Sequence, residues 1–425
     1  MTQKTLSSVV LWSVISAAFI GPGTVTTAVS AGALFHLDLL WAVVFSTIAC
    51  IILQEVSARL AIASGLTMGQ ALIQKHGEQR GRWLNFLLGG PVILGCAAYE
   101  AGNILGAVSG ISLFTSVDPK IITVVLTVVV GIVLWTDRRQ TIGWLMTFLV
   151  GLMGIAFFAL AIGRPFSFWE YAESSVTPVI PMGSELLVLG LVGTTIVPYN
   201  IFLGSGVSKG QTIPLMRIGL TISVLIGGLI TAAILIAGTA VPSFSGFAEL
   251  GQSLDENIGP IGSAALGVGL FAAGFSSAIT SPYAAAIIGL SVFSWSKQGQ
   301  RWIWIGVLLT GFVFGISGVK PIPVILMVQA LNGLVLPLLT AFLVLLINDP
   351  AIIPPQNRHS NFYNVLLLFI FWAVVLMGLH SIDKSVSAWL GLSQGHYGVL
   401  IAVALALTGY VTYRLVRLLR TRKEV

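Results

Sequence analysis

Two short stretches of the sequence combine glycine, proline and threonine inside long apolar runs. The first is FIGPGTVTT, residues 19–27, and the second is VGTTIVPYN, residues 192–200. Proline has no backbone N–H and clashes with the preceding turn, so each stretch predicts a break in a helix. A broken helix exposes N–H groups and carbonyl oxygens, which bind ions and polar solutes. Both stretches are therefore predicted to bind an ion or a polar solute.

The runs that contain these breaks have the composition of membrane-spanning helices. Hydrophobic residues make up 56% of the 425 residues, and charged residues make up only 8%, against about 25% in soluble domains. Mean hydropathy is +0.97. Twelve apolar segments lie near residues 10–35, 39–63, 85–115, 121–136, 141–163, 185–207, 216–241, 259–293, 302–318, 321–347, 362–381 and 397–416. We therefore expect an all-α polytopic membrane protein, with residues 1–425 forming one transmembrane domain.

The basic residues predict the orientation of these segments. If the N-terminus is cytoplasmic, sixteen of the 21 Lys and Arg residues fall on the cytoplasmic side and only four fall outside. The positive-inside rule then places both termini in the cytoplasm. We expect the membrane to be the inner or plasma membrane of the cell. Because the net charge of +6 comes from these connections, the expected partner is the lipid bilayer and no nucleic acid is expected.

The two breaks occupy corresponding places in the order of segments. They lie in the first and the sixth segment, so a second set of five segments would be inverted relative to the first. We expect one repeat over about residues 10–163, a second over about 185–347, and extra helices over about 362–416. Paired interruptions in two inverted halves are typical of the binding site of a secondary transporter.

Few ionisable residues lie within the segments. Glu100 lies near the middle of the third segment, and an ionisable residue at such a depth usually has a function. It could be a protonatable group or the partner of a cation. The alternative is a neutral carboxyl that is hydrogen-bonded inside the bundle. Glu55 and Arg59 have the spacing of an ion pair on one helix face. The chain has no motif of an intramembrane enzyme, of a resident metal or of a cofactor, so none of these is expected.

Longer stretches resemble the Nramp family of divalent-metal transporters. Residues 19–70 resemble the first two helices of that family, and residues 190–206, GLVGTTIVPYNIFLGSG, resemble its sixth. Residues 269–285 and 328–349 resemble its eighth and tenth helices. The resemblance implies the LeuT-type fold, in which two inverted five-helix repeats are here followed by two C-terminal helices, and it implies transport by alternating access.

The resemblance also implies which residues form the substrate site, and here the side chains differ. Gly21 and Thr24 stand where the family has the Asp and Asn that ligate the metal. In the sixth segment, Thr194 matches an alanine whose carbonyl is a ligand, Val197 matches a methionine ligand, and Tyr199 matches a histidine. Divalent cations prefer carboxylate oxygens, and Mn²⁺ and Fe²⁺ gain from a sulfur ligand. An altered substrate site is therefore expected.

Further residues complete the predicted site. Gly23 lies in the first break, and the resemblance places Gln329 and Asn332 on the same cavity from the tenth segment. It places Glu100 and Asn103 at two acidic positions of the family's proton route, with H⁺ or Na⁺ as the candidate coupling ion. A polar cluster on the eighth segment either joins helices or contacts the substrate: Ser276, Ser277, Thr280, Ser281 and Tyr283.

Three functions remain open from the sequence. The leading expectation is a transporter that moves a hydrated or weakly coordinated cation or a small polar solute. The second is a proton-coupled importer of a divalent metal ion such as Mn²⁺, Fe²⁺ or Mg²⁺. The third is a channel or a sensor that does not transport.

Overall fold

The computed structural model describes residues 3–136, 138–208, 210–241, 246–293, 296–390 and 397–421, and its regular elements within these ranges are all helical. The first half contains α1 (Gln3–Phe19), α2 (Pro22–Phe35), α3 (Leu40–Ser64), α4 (Met68–His76), α5 (Glu78–Ser112), α6 (Pro119–Trp135), α7 (Arg139–Ala161) and α8 (Phe168–Val176). The second half contains α9 (Glu185–Thr195), α10 (Pro198–Val207), α11 (Ile213–Gly238), α12 (Phe247–Ile258), α13 (Ile261–Phe293), α14 (Lys297–Ile316) and α15 (Pro321–Ile347). A 3-10 turn, Pro355–Asn357, precedes α16 (Asn361–Leu390) and α17 (Tyr397–Thr421).

Each of the twelve predicted segments corresponds to a helix or to a broken pair of helices. Among the described residues, nine spans are long and apolar enough to cross a membrane, and the bent pair of α1 and α2 makes a tenth. Two shorter apolar stretches, in α6 and in the second half of α15, account for the others. The expected all-α polytopic fold is confirmed. The division into two repeats stays a prediction.

Three short helices in the connections were not predicted. These are α4, α8 and α12. Thr67 begins α4 with a capping box to Gln70, and Ser167 begins α8 with a capping box to Glu170. Each pair satisfies two backbone N–H groups at the helix start, which stabilises a helix too short to cross the membrane. These connections are therefore structured rather than open loops.

Both predicted helix breaks are present. The axes of α1 and α2 differ by 63° across the first break, and α9 ends three residues before α10 begins. Pro22 and Pro198 each occupy the first position of the helix that follows. At that position the missing N–H has no helical acceptor in any case, so proline starts a helix without cost.

Glycines let the neighbouring helices approach the first break. A Cβ at Gly106 would lie 2.2 Å from Cγ of Pro22, so α5 can approach the proline ring only because residue 106 is glycine. A Cβ at Gly274 would lie 2.7 Å from the carbonyl oxygen of Asn103, so α13 packs equally closely against α5. This packing brings α5 and α13 beside the break.

Candidate functional site

Pro22 and Pro198 each deprive one carbonyl of its helical partner. In a continuous helix the N–H of residue 22 would donate to the carbonyl of Ala18, but proline has no N–H. The Ala18 carbonyl instead accepts the hydroxyl of Tyr199, with the oxygens 2.7 Å apart. Tyr199 follows Pro198 directly in the sequence. The second broken span therefore supplies the hydrogen bond that the first one lacks.

Other hydroxyl groups satisfy the remaining carbonyls at the end of α1. The Ala17 carbonyl accepts from the hydroxyls of Ser276 and Ser277 on α13, each at 3.2 Å. The Phe19 carbonyl accepts from the Thr24 hydroxyl across the break. Unsatisfied carbonyls would be costly in an apolar surrounding. Four hydroxyls from three helices thus stabilise the unwound backbone.

The carbonyl of Thr194 is different. Pro198 has no N–H to donate to it, and no donor reaches it from any residue that the structure describes. The Thr194 hydroxyl donates to the Leu191 carbonyl at 3.2 Å. A carbonyl oxygen without a donor keeps both lone pairs for another ligand. The backbone ligand expected at Thr194 is therefore still possible in this chain.

A small cavity lies between the two breaks. Its volume is about 20 Å³, enough for roughly one water molecule and far below the roughly 300–1,000 Å³ of small-molecule pockets. Its lining comes from both breaks, α5 and α13: Ala18, Phe19, Gly21, Gly23, Thr24, Tyr99, Asn103, Thr194, Val197, Tyr199 and Ser277. In this conformation the cavity has room for a single ion or water.

The structure brings most of the predicted site residues together around this cavity. Six predicted substrate residues line it, namely Gly21, Gly23, Thr24, Thr194, Val197 and Tyr199. Asn103 lines it as well, whereas Glu100 does not. Gln329 and Asn332 lie in the part of α15 whose side chains are outside the described residues. The role of all these residues in binding stays a prediction.

The lining offers neutral oxygen atoms. The hydroxyls of Thr24, Tyr199 and Ser277 each donate their proton to a carbonyl of α1. A hydroxyl that donates still has lone pairs with which to accept a hydrogen bond or contact a cation. The lining residues include no carboxylate, and the described residues contain no cluster of three or more His, Cys, Asp or Glu that could hold a metal ion. Any cation here would meet hydroxyl, carbonyl and amide oxygens.

Glu100 is connected to the cavity through Asn103. It is fully buried on α5, and the Asn103 amide donates to its Oε2 at 3.5 Å. Its other oxygen, Oε1, has no hydrogen-bond partner among the described residues. A buried carboxyl oxygen without a partner is costly unless the group is protonated or meets a cation. Among the described residues only one of its two oxygens has a hydrogen-bond partner, so the protonatable group, the cation partner and the neutral structural carboxyl all stay predictions for Glu100.

The predicted ion pair between Glu55 and Arg59 is confirmed, and it belongs to a larger cluster. Oε1 of Glu55 accepts from Nε of Arg59 at 3.0 Å and from Nε of Arg217 at 2.8 Å. Oε2 accepts from the Tyr363 hydroxyl at 3.2 Å and lies 3.5 Å from Nε2 of His359. One carboxylate thus joins α3 to α11 and α16, which the sequence did not indicate because its partners are far apart in the chain.

Ser277 and Tyr99 line the cavity but were not predicted as substrate residues. Ser277 belongs to the polar cluster that was noted on the eighth segment, so a sequence signal existed. Tyr99 immediately precedes Glu100 and gave no separate signal. Its ring contacts that of Tyr199 edge to face, with centroids 5.7 Å apart.

Comparison with known proteins agrees with this architecture. The chain is 26% identical over 349 residues to the divalent metal cation transporter MntH of Acidiphilium cryptum, covering 76% of this chain and 78% of that protein. It is also 26% identical to the MntH of Caldanaerobacter subterraneus, covering 65% of this chain and 69% of that protein.

Solved structures share the fold. A mutant of the Eremococcus coleocola manganese transporter superposes with a TM-score of 0.78 at 19% identity, covering 97% of this chain and 95% of that one. The transporter MhsT, in complex with L-phenylalanine, superposes with a TM-score of 0.59 at 17% identity, covering 88% of this chain and 97% of that one. The neighbours therefore share the LeuT-type fold.

A family model described as natural resistance-associated macrophage protein-like, or Nramp, matches residues 13–382. This range includes both breaks, the cavity between them, and the cluster around Glu55. The resemblance seen in the sequence is thereby confirmed, and the chain belongs to the Nramp family of membrane transporters.

Proposed function

We propose that this chain is a secondary transporter that moves divalent metal cations through the membrane by alternating access around its two helix breaks. The observation that carries the proposal is the cavity of about 20 Å³ between the breaks, which has the size of one ion and whose mostly apolar lining includes residues with hydroxyl, carbonyl and amide oxygens. The relatives named above are divalent metal cation transporters, which supports the same class of substrate.

The expectation that the substrate is not a conventional transition metal is not supported by these relatives. Its basis, the absence of a carboxylate from the cavity lining, remains a property of the site. Neutral oxygens bind hard cations more weakly than carboxylates do. We therefore expect weak binding of metal ions at the site, rather than a different class of substrate.

A small polar solute is the less favoured substrate. The volume of the cavity would have to increase more than tenfold to reach the usual range of about 300–1,000 Å³ from about 20 Å³. Such a solute would also have to displace the hydroxyls that now satisfy the α1 carbonyls. A single cation needs neither change.

We infer that H⁺ is the coupling ion and that Glu100 carries it. Glu100 is buried, one of its oxygens has no described partner, and Asn103 connects it to the cavity. Glu100 lies one helical turn from Asn103, which lines the cavity. A cation in the cavity would therefore disfavour the protonated form of the Glu100 carboxyl. Metal and proton would thus be linked through opposing effects on Glu100.

Transport by the purified chain in proteoliposomes tests the proposal. Mn²⁺, Mg²⁺ and Ca²⁺ are offered separately outside, with a metal-sensitive dye inside and a pH gradient of either sign. We expect saturable uptake of a divalent cation whose rate depends on the sign of the pH gradient, and accelerated release when the same cation is present on the opposite side. Uptake of an organic solute without any divalent cation uptake would overturn the proposal.

Two leucine substitutions provide the matched control. Gly21→Leu places a side chain in the cavity, since even a Cβ there lies 3.0 Å from Oγ of Ser277. Gly151→Leu adds the same side chain to α7 at an exposed position with nothing within 4 Å of the new Cβ. Uptake should be abolished by the first substitution and retained with the second. Equal uptake by both variants would place the transport route elsewhere.

A further inference from the structure

A second and much larger cavity lies at the side of the bundle, among α4, α5, α15, α16 and α17. Its volume is about 560 Å³, within the range of about 300–1,000 Å³ usual for small-molecule sites. Most of its lining is apolar, with Phe342, Leu345, Phe371, Leu379 and Val411 among the larger side chains. We call this cavity the lateral groove.

One end of the lateral groove is basic. Lys75, His76 and Arg414 line it there, together with Tyr410. Nζ of Lys75 lies 2.8 Å from Oδ2 of Asp349, so the charge of Lys75 is partly balanced. Arg414 donates to the Tyr410 hydroxyl at 3.0 Å and has no carboxylate partner among the described residues. The basic end therefore keeps an unbalanced positive charge.

The ionisation of His76 is consistent with that charge. Burial, and then the neighbouring cations Lys75 and Arg414, lower the pKa of His76, while Asp349 opposes the shift. At neutral pH His76 is therefore an uncharged group that can still donate a hydrogen bond. The groove thus combines a long apolar part, a cationic guanidinium and hydrogen-bond donors.

We propose that the lateral groove binds an anionic phospholipid, with an acyl chain along its apolar part and the phosphate at Arg414 and His76. Charge complementarity favours this occupant, because an apolar molecule alone would not need the guanidinium. The positive-inside rule assigns the basic end to the cytoplasmic leaflet, where anionic lipids attract basic residues. The groove is separate from the cavity between the breaks, and α16 and α17 lie outside the two predicted repeats.

Lipid binding to the purified full-length chain tests the proposal. Native mass spectrometry is run at increasing concentrations of phosphatidylglycerol or of phosphatidylcholine with the same acyl chains. We expect more bound phosphatidylglycerol, by about fivefold for one basic contact. Equal binding of the two lipids by the unaltered protein would overturn the proposal without any substitution.

Two substitutions separate the roles of the two parts of the groove. Arg414→Gln should lower phosphatidylglycerol binding about fivefold and phosphatidylcholine binding less, because the choline group already balances the phosphate charge of that lipid. Ala341→Trp adds an indole to the apolar lining and should lower the binding of both lipids. Lys75 is left intact, because its removal would leave Asp349 without its ion pair.

Matched controls lie outside the groove. Arg138→Gln removes an exposed arginine on the side also assigned to the cytoplasm, and Ala402→Trp adds an indole to an exposed position of α17. Neither should change lipid binding. If Arg138→Gln has the same effect as Arg414→Gln, the attraction is general to the surface and the site is refuted. If Ala341→Trp changes the oligomeric state instead of lipid binding, the groove holds a second copy of the chain and the proposal is likewise refuted.

Discussion

The Tyr199 hydroxyl donates to the Ala18 carbonyl at 2.7 Å, although the two residues lie 181 positions apart. The carbonyl lacks its helical donor because residue 22 is proline, and the donor follows the proline of the other broken span. This hydrogen bond thus connects the two breaks directly. Tyr199 lines the cavity as well. The same side chain therefore stabilises the unwound backbone of the first break and forms part of the cavity wall.

Removal of the Tyr199 hydroxyl should destabilise the protein. In Tyr199→Phe the Ala18 carbonyl is left buried without its partner, which costs about 1–3 kcal/mol. Thermal unfolding in detergent should show a lower midpoint. Tyr413→Phe, at an exposed position of α17, is the control and should leave the midpoint unchanged. Equal midpoints for the two variants would mean that water replaces the hydroxyl.

A carboxylate at position 21 should strengthen metal binding. Gly21 has φ −103°, which any residue can adopt, and its side chain would point toward Ser277 and Asn103. In Gly21→Asp the new charge should tighten Mn²⁺ binding by roughly tenfold or more. Calorimetric titration measures it. Gly21→Ala supplies the Cβ without the charge, so an equal gain in both variants would contradict an effect of the carboxylate.

Glu100 should determine the pH dependence of transport. In Glu100→Gln the buried position keeps its shape but can no longer exchange a proton, so metal uptake should become independent of the pH gradient. Proteoliposome uptake at several external pH values measures the change. Glu173→Gln, at an exposed position of α8, should keep the wild-type dependence. A pH dependence that survives in Glu100→Gln would remove this residue from the proton route.

Two Glu–Arg pairs with the same spacing and the same distance should differ strongly in their contribution to stability. The Glu55–Arg59 pair is buried, with 5–6% of each side chain exposed, whereas in the Glu78–Arg82 pair about 70% is exposed. Glu55→Gln leaves the buried Arg59 without its charge partner and should cost about 3–5 kcal/mol. Glu78→Gln should cost at most about 1 kcal/mol. Comparable losses of thermal stability would show that the buried cluster is hydrated.

His359 should make the protein sensitive to acid. Burial lowers the pKa of His359 to about 4, from about 6.5 in an unfolded chain. Because the unfolded chain binds the proton more readily, this contribution to stability is full above about pH 6.5 and declines as the pH falls toward 4.

The variant His359→Phe should therefore lose less thermal stability than the wild type between these pH values. Melting midpoints across the range measure the difference. His380→Phe, on α16, should decline in parallel with the wild type. A parallel decline of His359→Phe as well would mean that other groups cause the sensitivity to acid.

Local signals in the sequence were sufficient for the spans and for both breaks. Hydropathy marks each membrane helix within its own residues, and Pro22 and Pro198 remove hydrogen bonds whatever surrounds them. The pair Glu55–Arg59 was predictable for the same reason, since four residues make one helical turn. The short helix α4 was not predicted, although its capping box, Thr67 to Gln70, is a local signal of a helix start.

Contacts between distant residues could not be predicted in this way. Arg217 contacts Glu55 because α11 packs against the first segments. Ser276 donates to the Ala17 carbonyl because α13 packs there as well. The volume of the cavity depends on the same packing. The resemblance therefore predicted most of the polar residues that line the cavity, whereas the size of the cavity and its hydroxyl contacts depend on the packing of the helices.

The hydroxyls at the end of α1 also bear on the order in which the chain is assembled. Synthesis proceeds from the N-terminus, so α1 enters the membrane before Tyr199 and Ser277 have been made. Until then the carbonyls of Ala17 and Ala18 lack the hydroxyl donors that they have in the complete bundle. The two carbonyls of the first span thus receive these hydroxyl donors only after the sixth and eighth spans have arrived.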